Sequence, residues 1–463
     1  MITPKILLGA LAILLAASAG AQKRYELTVR EAVELAYKNV AEVKNAQIDY
    51  RLQDAKNKEI TGQALPQLSG TVSGNYYTSL PQFLFPDATS TAVYSILKDE
   101  GVSGSGGPIT KVPEPTLRQV SFQQPSNLQF SAQLTQLLFQ PDVFVGLQAR
   151  KTALDYNTAL IEQVKERVKD SAYNRYYAIL VAQKQLFYLN EGVARLEKLY
   201  RDDSIMYKNG FAERLDLERV QVQLNNLRTT RNIVQSGVDL SYAALKFALG
   251  LSQRDTVVLK EELNESSIKD GLLEDAFKYE DRPEIRTLGI TRRLQELDLK
   301  RNRLGYYPTV SALGNFTRGG QGRNVFLNNG SVWINSSFVG LNINVPIFDG
   351  FQRKYKIQQS RLNIEKLDNT ITNVKQAIDF DQVVSKTSLV NALENLDIQV
   401  RNRALAEKVY NTTKLKFEQG LGSSFEVLQS DSDLQTAQSN YFNALYQATV
   451  ARVSYLRSLG KLE

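Results

Sequence analysis

The sequence predicts an α+β membrane protein built twice over, with two strand hairpins that supply four transmembrane β-strands and two long, coiled-coil-like helical hairpins. Three observations predict it: an export signal at the amino terminus, two long proline-free tracts with heptad-spaced apolar residues, and short stretches that alternate apolar with polar side chains.

Residues 1–21 read as a signal peptide: Lys5, an apolar run from Ile6 to Ala17, then Ala19-Gly20-Ala21 before Gln22. That apolar core is about a dozen residues, short of the roughly 20 a spanning helix needs, and no later stretch comes near it. A membrane crossing by the remainder must therefore use strands. The formal charge of +7 falls to near +6 once residues 1–21 are set aside, because Lys5 is their one charge. Lys and Arg alternate with Asp and Glu along the helices, which describes a solvated surface and no nucleic-acid face. Cysteine is absent, so an exported chain must rely on packing or assembly, and no lipid anchor is expected on the mature terminus. Histidine is absent too, which removes the commonest metal ligand and general base. No Gly-x4-Gly-Lys-Ser/Thr run is present. The expectation is a protein that is not an enzyme and has no cofactor and no metal.

The first repeat is predicted over 22–250. Thr28-Val29-Arg30-Glu31 forms a capping box opening a helix that should run to about Ala64. A strand hairpin follows over about 68–140. Leu128, Phe130, Ala132 and Leu134 alternate there with Gln129, Ser131, Gln133 and Thr135. Within it, 82–124 is rich in glycine and proline and reads as a long surface loop. The tract from Asp142 to Arg282 lacks proline and carries Leu186, Leu189, Val193, Leu196, Tyr200 and Tyr207 at three-four spacing; Lys208-Asn209-Gly210 breaks it into a helical hairpin over 143–249. Residues 251–280, with the β-prone Val257-Val258-Leu259, link the copies. The second repeat, 281–463, runs through a helix, a strand hairpin at about 309–347 and a helical hairpin over 351–459 that turns at Gln419-Gly420-Leu421-Gly422. Its last arm repeats Val427, Leu434, Tyr441, Ala448 and Tyr455 every seven residues.

The two copies align by hand. Gly210, Leu215 and Leu249-Gly250 fall on Gly420, Phe425 and Leu459-Gly460 at an offset of 210; Leu65-Pro66 falls on Tyr307-Pro308 at 242. The change of offset puts an insertion of about thirty residues in the first copy. Four strands cannot close a barrel, and open edges in lipid leave backbone groups unpaired, so assembly is required. Two chains would supply eight strands and three would supply twelve; physics alone does not choose.

The order helix, strand hairpin, long helical hairpin, linker and the same again, with Gly-x5-Asp/Glu after each tip turn, resembles the TolC-like outer-membrane efflux family over the mature chain. The resemblance implies a homotrimer: a twelve-stranded β-barrel in outer-membrane lipid, continued by a twelve-helix periplasmic tunnel. It also implies a passive channel of a tripartite efflux or type I secretion system, docked on a periplasmic adaptor (membrane fusion) protein and an inner-membrane pump. Asp216 and Glu426, each six residues after a tip glycine, would then form an acidic ring at the pore entrance, although any single acid on a long helix is ordinarily a solvated charge. Phe417 and Gly422 stand where the best-known members carry an aromatic and an arginine that lock the entrance. Closure is therefore expected to rest on packing near Phe417. Gly210, Leu215, Gly420 and Phe425 are candidates for adaptor docking. A periplasmic coiled-coil adaptor or scaffold is the alternative, sharing the export signal and heptads without needing the strands.

Overall fold

The computed structural model describes residues 23–262, 265, 268, 277–327 and 330–462. The signal-peptide expectation at 1–21 and part of the linker lie outside them. The described chain forms two compact units, one helical (up to 55, 149–298 and from 358) and one containing the main sheet (56–148 and 299–357).

In chain order the elements are β1 (Arg24–Leu27), α1 (Val29–Asn39), α2 (Ala41–Gln63), β2 (Gln67–Tyr76), β3 (Phe83–Asp87), α3 (Thr89–Asp99), β4 (Ser103–Gly104), β5 (Gly107–Pro108), β6 (Thr116–Val120), β7 (Ser126–Phe139), α4 (Pro141–Lys208), α5 (Arg214–Ala248), β8 (Thr256–Leu259), α6 (Pro283–Leu304), β9 (Thr309–Gly322), β10 (Val332–Asn344), α7 (Gln352–Glu418) and α8 (Ser424–Ser458). Helix α4 has 68 residues and α7 has 67, each about 100 Å at 1.5 Å per residue.

The helical unit is organised by how its helices end. Gly210, Gly250, Gly420 and Gly460 all have positive φ, and each follows the last turn of one of the four hairpin helices. At the tips, Gly210 N–H donates to Tyr207 O and Phe211 N–H to Met206 O; Gly420 and Leu421 make the same pair with Phe417 and Lys416. This double bond satisfies carbonyls a helix end leaves free, and it needs a left-handed residue that glycine adopts without strain.

At the other end the glycines also permit close approach. A Cβ on Gly250 would lie 2.9 Å from the Asn39 carbonyl carbon, and one on Gly460 would lie 3.0 Å from the Asp281 oxygen. Asn39 and Asp281 are 242 apart, the residues after them, Val40 and Arg282, are both extended, and α2 and α6 begin next. The single helix expected from the capping box to about Ala64 is thus interrupted at Val40. The Thr28 box itself is formed, with Thr28 N–H donating to Glu31 and Glu31 N–H to Thr28. The interruption lets β1 pair in parallel with β8 and lets α1 bury Ala32 and Ala36 against Tyr176, Ile179, Leu245 and Leu249.

The sheet unit holds one antiparallel sheet in the order β10-β9-β7-β2, so β10 and β2 are edges. Register sorts its side chains by face. Leu68, Val72, Leu128, Phe130, Leu134, Phe316, Trp333, Val339, Leu341 and Ile343 share one face. The other carries Ser69, Thr71, Ser73, Gln129, Ser131, Gln133, Asn315, Thr317 and Asn342, with Leu313, Ile334 and Phe338 among them. Ser126, buried, pins the hairpin end: its hydroxyl donates to Gly322 O, and Val325 N–H donates to its oxygen.

Residues 82–124 depart from the surface loop expected. They hold β3 and β6 as an antiparallel pair, with helix α3 and the short β4-β5 pair between them. Phe83 and Phe85 close on Phe122 at 6.2 and 6.0 Å, an aromatic cluster that the glycine-rich composition hid.

Two substitutions separate backbone strain from crowding. Gly210→Ala has open space and should cost about 1–2 kcal/mol for its left-handed backbone alone; Gly250→Ala, which also meets Asn39, should cost more. Thermal unfolding of the two variants checks the order, and equal shifts would remove the Asn39 contact from the account.

Candidate functional site

Each helical hairpin turns over five residues, and the side chains of interest surround those turns. The structure sets Asp216 and Glu426 at the third residue of α5 and α8, positions 210 apart. An acid in the first turn is stabilised by the free N–H groups and dipole of the helix start, so both acids have a structural reason to be there. Their surroundings differ. Glu426 N–H donates to the Ser423 hydroxyl at 3.3 Å, a helix cap absent at Glu213 in the first copy. The Glu426 carboxylate folds over Gly422, where a Cβ would lie 3.2 Å from its Oε2. Gly422 thus accommodates the acid at the position where the family resemblance implies an arginine. Asp216 instead pairs with Arg219 at 3.4 Å, and the Arg219 guanidinium lies 5.2 Å from the Phe425 ring, joining α5 to α8.

Gly210 and Gly420 are exposed with open space around them, and Leu215 and Phe425 are half exposed. Phe417 packs into a core cluster with Val193, Leu196, Val220, Leu224, Tyr410 and Val427.

Sequence reasoning missed several residues here. Phe211 and Leu421, immediately after the tip glycines and 210 apart, are 80% and 75% exposed. The residue after a glycine cap ordinarily packs back on the helix, so two outward apolar side chains at equivalent positions mark a surface. Also missed were two buried acids. Asp431 accepts from Arg195 Nε at 2.8 Å and from Gln435, while the Arg195 guanidinium lies 5.3 Å from the Tyr410 ring. Burial pushes the Asp431 carboxyl up, against the pull of Arg195 and Gln435. Asp203, fully buried, accepts from the Ser424 hydroxyl at 2.5 Å, and its other oxygen has no partner. Burial pushes it up as well; Ser424 opposes this, and Asp216 and Asp202 add to it. Both acids were legible as seam positions. Asp431 falls between Val427 and Leu434, and Asp203 between Tyr200 and Tyr207, at the same three-four spacing as their apolar neighbours.

Among the described residues no group of His, Cys, Asp and Glu could hold a metal ion, and no helix is long and apolar enough to cross a membrane. The sheet, by contrast, has four strands of 10 to 14 residues with one apolar face, the dimensions of a strand tilted across a bilayer.

The buried pair makes a stability prediction. Arg195→Met leaves Asp431 uncompensated and should cost about 3–5 kcal/mol in thermal unfolding, most of which Asp431→Leu in the same chain restores. A second follows from Asp203, whose folded pKa lies above its ordinary value of 3.8. Its stabilisation is complete below that value and is lost as pH rises through the raised one. The stability of the wild type relative to Asp203→Asn should therefore fall as pH climbs above about 4; a gap that stays flat with pH would show the carboxyl is unshifted.

Comparison with known proteins agrees with this geometry. Residues 280–461 match the family model described as outer membrane efflux protein. A curated relative, Protein CyaE of Bordetella pertussis, is 22% identical over 156 residues, which is 34% of this chain and about a third (32%) of that protein's length. Among solved structures, CusC aligns with a TM-score of 0.71 at 14% identity, covering 94% of this chain and 92% of that one. The outer membrane protein VceC of Vibrio cholerae aligns at 0.68 and 12% identity, covering 93% and 96%. The Campylobacter jejuni outer membrane channel CmeC aligns at 0.69 and 14%, covering 94% and 85%. Residues 280–461 thus resemble the outer membrane efflux protein family, and over its length the chain has the fold of these outer-membrane channel structures.

Proposed function

We propose that this protein is the channel subunit of a tripartite efflux or type I secretion system, a passive conduit from the periplasm to the exterior. The observation that carries this reading is the four-stranded sheet, apolar over most of one face, uncharged and largely polar on the other, with both edge strands unpaired. In hydrocarbon those edges require partners, and three copies would close a twelve-stranded barrel with room for a lumen. The helices support assembly independently. Ile233, Leu240 and Phe247 form an exposed heptad stripe on α5, and Val384, Ile398 and Leu405 form another on α7. One copy leaves these seams uncovered; neighbouring copies would bury them in a twelve-helix tunnel.

At the tunnel entrance Asp216 and Glu426 would contribute six carboxylates in a trimer. Arg219 offsets one acid of each pair, so Glu426 should dominate cation attraction. Packing at Phe417 and the buried Arg195–Asp431 contact would hold the entrance helices together. The exposed tips, with Phe211, Leu215, Leu421 and Phe425 around Gly210 and Gly420, suit docking of a periplasmic adaptor that connects to an inner-membrane pump. The alternative, a periplasmic coiled-coil adaptor or scaffold, leaves the apolar face of the sheet without a purpose.

The mass of the detergent-extracted oligomer tests the reading: three copies from the outer-membrane fraction are expected, and a soluble periplasmic monomer or dimer sinks it. In planar bilayers Glu426→Ala should lower cation preference more than Asp216→Ala, and the double variant should approach no preference. Selectivity unchanged in the double variant removes both acids from the entrance.

A further inference from the structure

The four long strands of the sheet contain one charged residue, Arg318. Register sets it on the apolar face, opposite Phe130 of β7. Its guanidinium lies 5.3 Å from the ring of Trp333 on β10, and the Phe130 and Trp333 rings stack 6.3 Å apart at 22°. The seat is made by Gly320: a Cβ there would lie 2.8 Å from the indole, so only glycine lets Trp333 lie against the strand. No carboxylate among the described residues pairs with Arg318, which is exposed. A lone cation on a lipid-type face, held by an aromatic platform and left without a counter-ion, calls for an anion from outside the chain.

Its height along the strand says where that anion lies. Arg318 is the tenth residue of β9 counted from the end that follows α6. At about 3.3 Å per residue and a barrel tilt of about 40°, that is roughly 20–25 Å along the membrane normal, close to the full height of an apolar band. Tyr76 lies at the same hairpin end, and Phe326 packs over Gly74 beside it, as in an interfacial aromatic girdle. A guanidinium is unfavourable at the bilayer midplane but readily accommodated at the interface, where headgroup phosphates lie.

We propose that Arg318, seated on Trp333, binds the phosphate monoester of a lipid headgroup at the membrane interface. The assignment rests on the barrel reading above. The planar guanidinium fork matches phosphate oxygens two at a time, and one face on the indole leaves its N–H edge free to do so. The apolar neighbours Phe130 and Trp333 take the acyl side of the same lipid, which a free phosphate lacks.

Trp333 is the only tryptophan in the chain, so its fluorescence reports on this site alone. The assembled protein is reconstituted in phosphatidylcholine vesicles containing a small fraction of bromine-labelled phosphatidic acid or, for comparison, bromine-labelled phosphatidylcholine. Labelled phosphatidylcholine at high fraction should quench Trp333; no quenching shows that the ring does not face lipid and overturns the barrel reading itself. With quenching established, labelled phosphatidic acid should act with about tenfold preference, the scale of one charge-assisted hydrogen bond. Arg318→Gln should bring that preference to unity while phosphatidylcholine quenching remains. Equal quenching by the two lipids in the wild type, or a preference that survives in Arg318→Gln, overturns the proposal and leaves the barrel standing. Should the variant fail to assemble, the wild-type comparison decides. Millimolar inorganic phosphate should leave the preference intact; if it abolishes it, the site takes free phosphate and the lipid assignment falls.

Discussion

Burial of the α8 seam is the interaction on which the helical unit depends. Val427 and Leu434 enter the cluster nearest the tips, Tyr441, Phe442, Leu445 and Ala448 the next, Ala451, Tyr455 and Leu459 a third, and Val453 the core beside β1. Among the described residues one helix thus contributes to each of the four apolar clusters. Each seam residue meets other helices, so a change in the register of α8 would uncouple several contacts at once. Small residues at Ala444, Ala448 and Ala451 let the neighbours come close, and aromatic ones at Tyr441 and Tyr455 fill the wider layers.

Two acids, Asp203 on α4 and Asp431 on α8, interrupt the seam between those helices, and both sit towards the tips. A seam of apolar residues alone would tolerate slippage by a heptad, because every layer looks alike. Asp431 with Arg195, and Asp203 with Ser424, each have one satisfactory register, so the cost of burying them is offset by a defined alignment of α4 with α8. The same logic explains the tip contact of Arg219 with Asp216 and Phe425, which ties α5 to α8 without burial. Glu426 has no such partner among the described residues and remains over Gly422, beside the turn.

The sheet obeys a different constraint. Its apolar side chains do not bury one another; most face outward on one surface, and the largely polar face opposite is free of charge. In water such a sheet would have to be covered. On the proposed reading lipid would cover the apolar face, and the unpaired edges would be where copies join. The placement of Arg318 follows from this. On that reading the single charge of β9 would lie where the strand reaches the interface, at the level of its aromatic neighbours.

Much of this was legible in one dimension. Heptads at Val427 to Tyr455 and alternation at Leu128 to Thr135 announce helices and strands, because side-chain period follows directly from backbone geometry. Glycine followed by an acid six residues on announces the tips, since a left-handed turn needs glycine and a helix start favours an acid. What the tertiary structure alone decided were contacts between residues far apart in the chain. The break at Val40 answers to Gly250, the fold of 82–124 to Phe122 closing on Phe83, and the exposure of Phe211 and Leu421 to the absence of any partner within the copy. Local sequence carries propensity and period, but burial is set by what arrives from elsewhere, and only the folded chain brings those residues together.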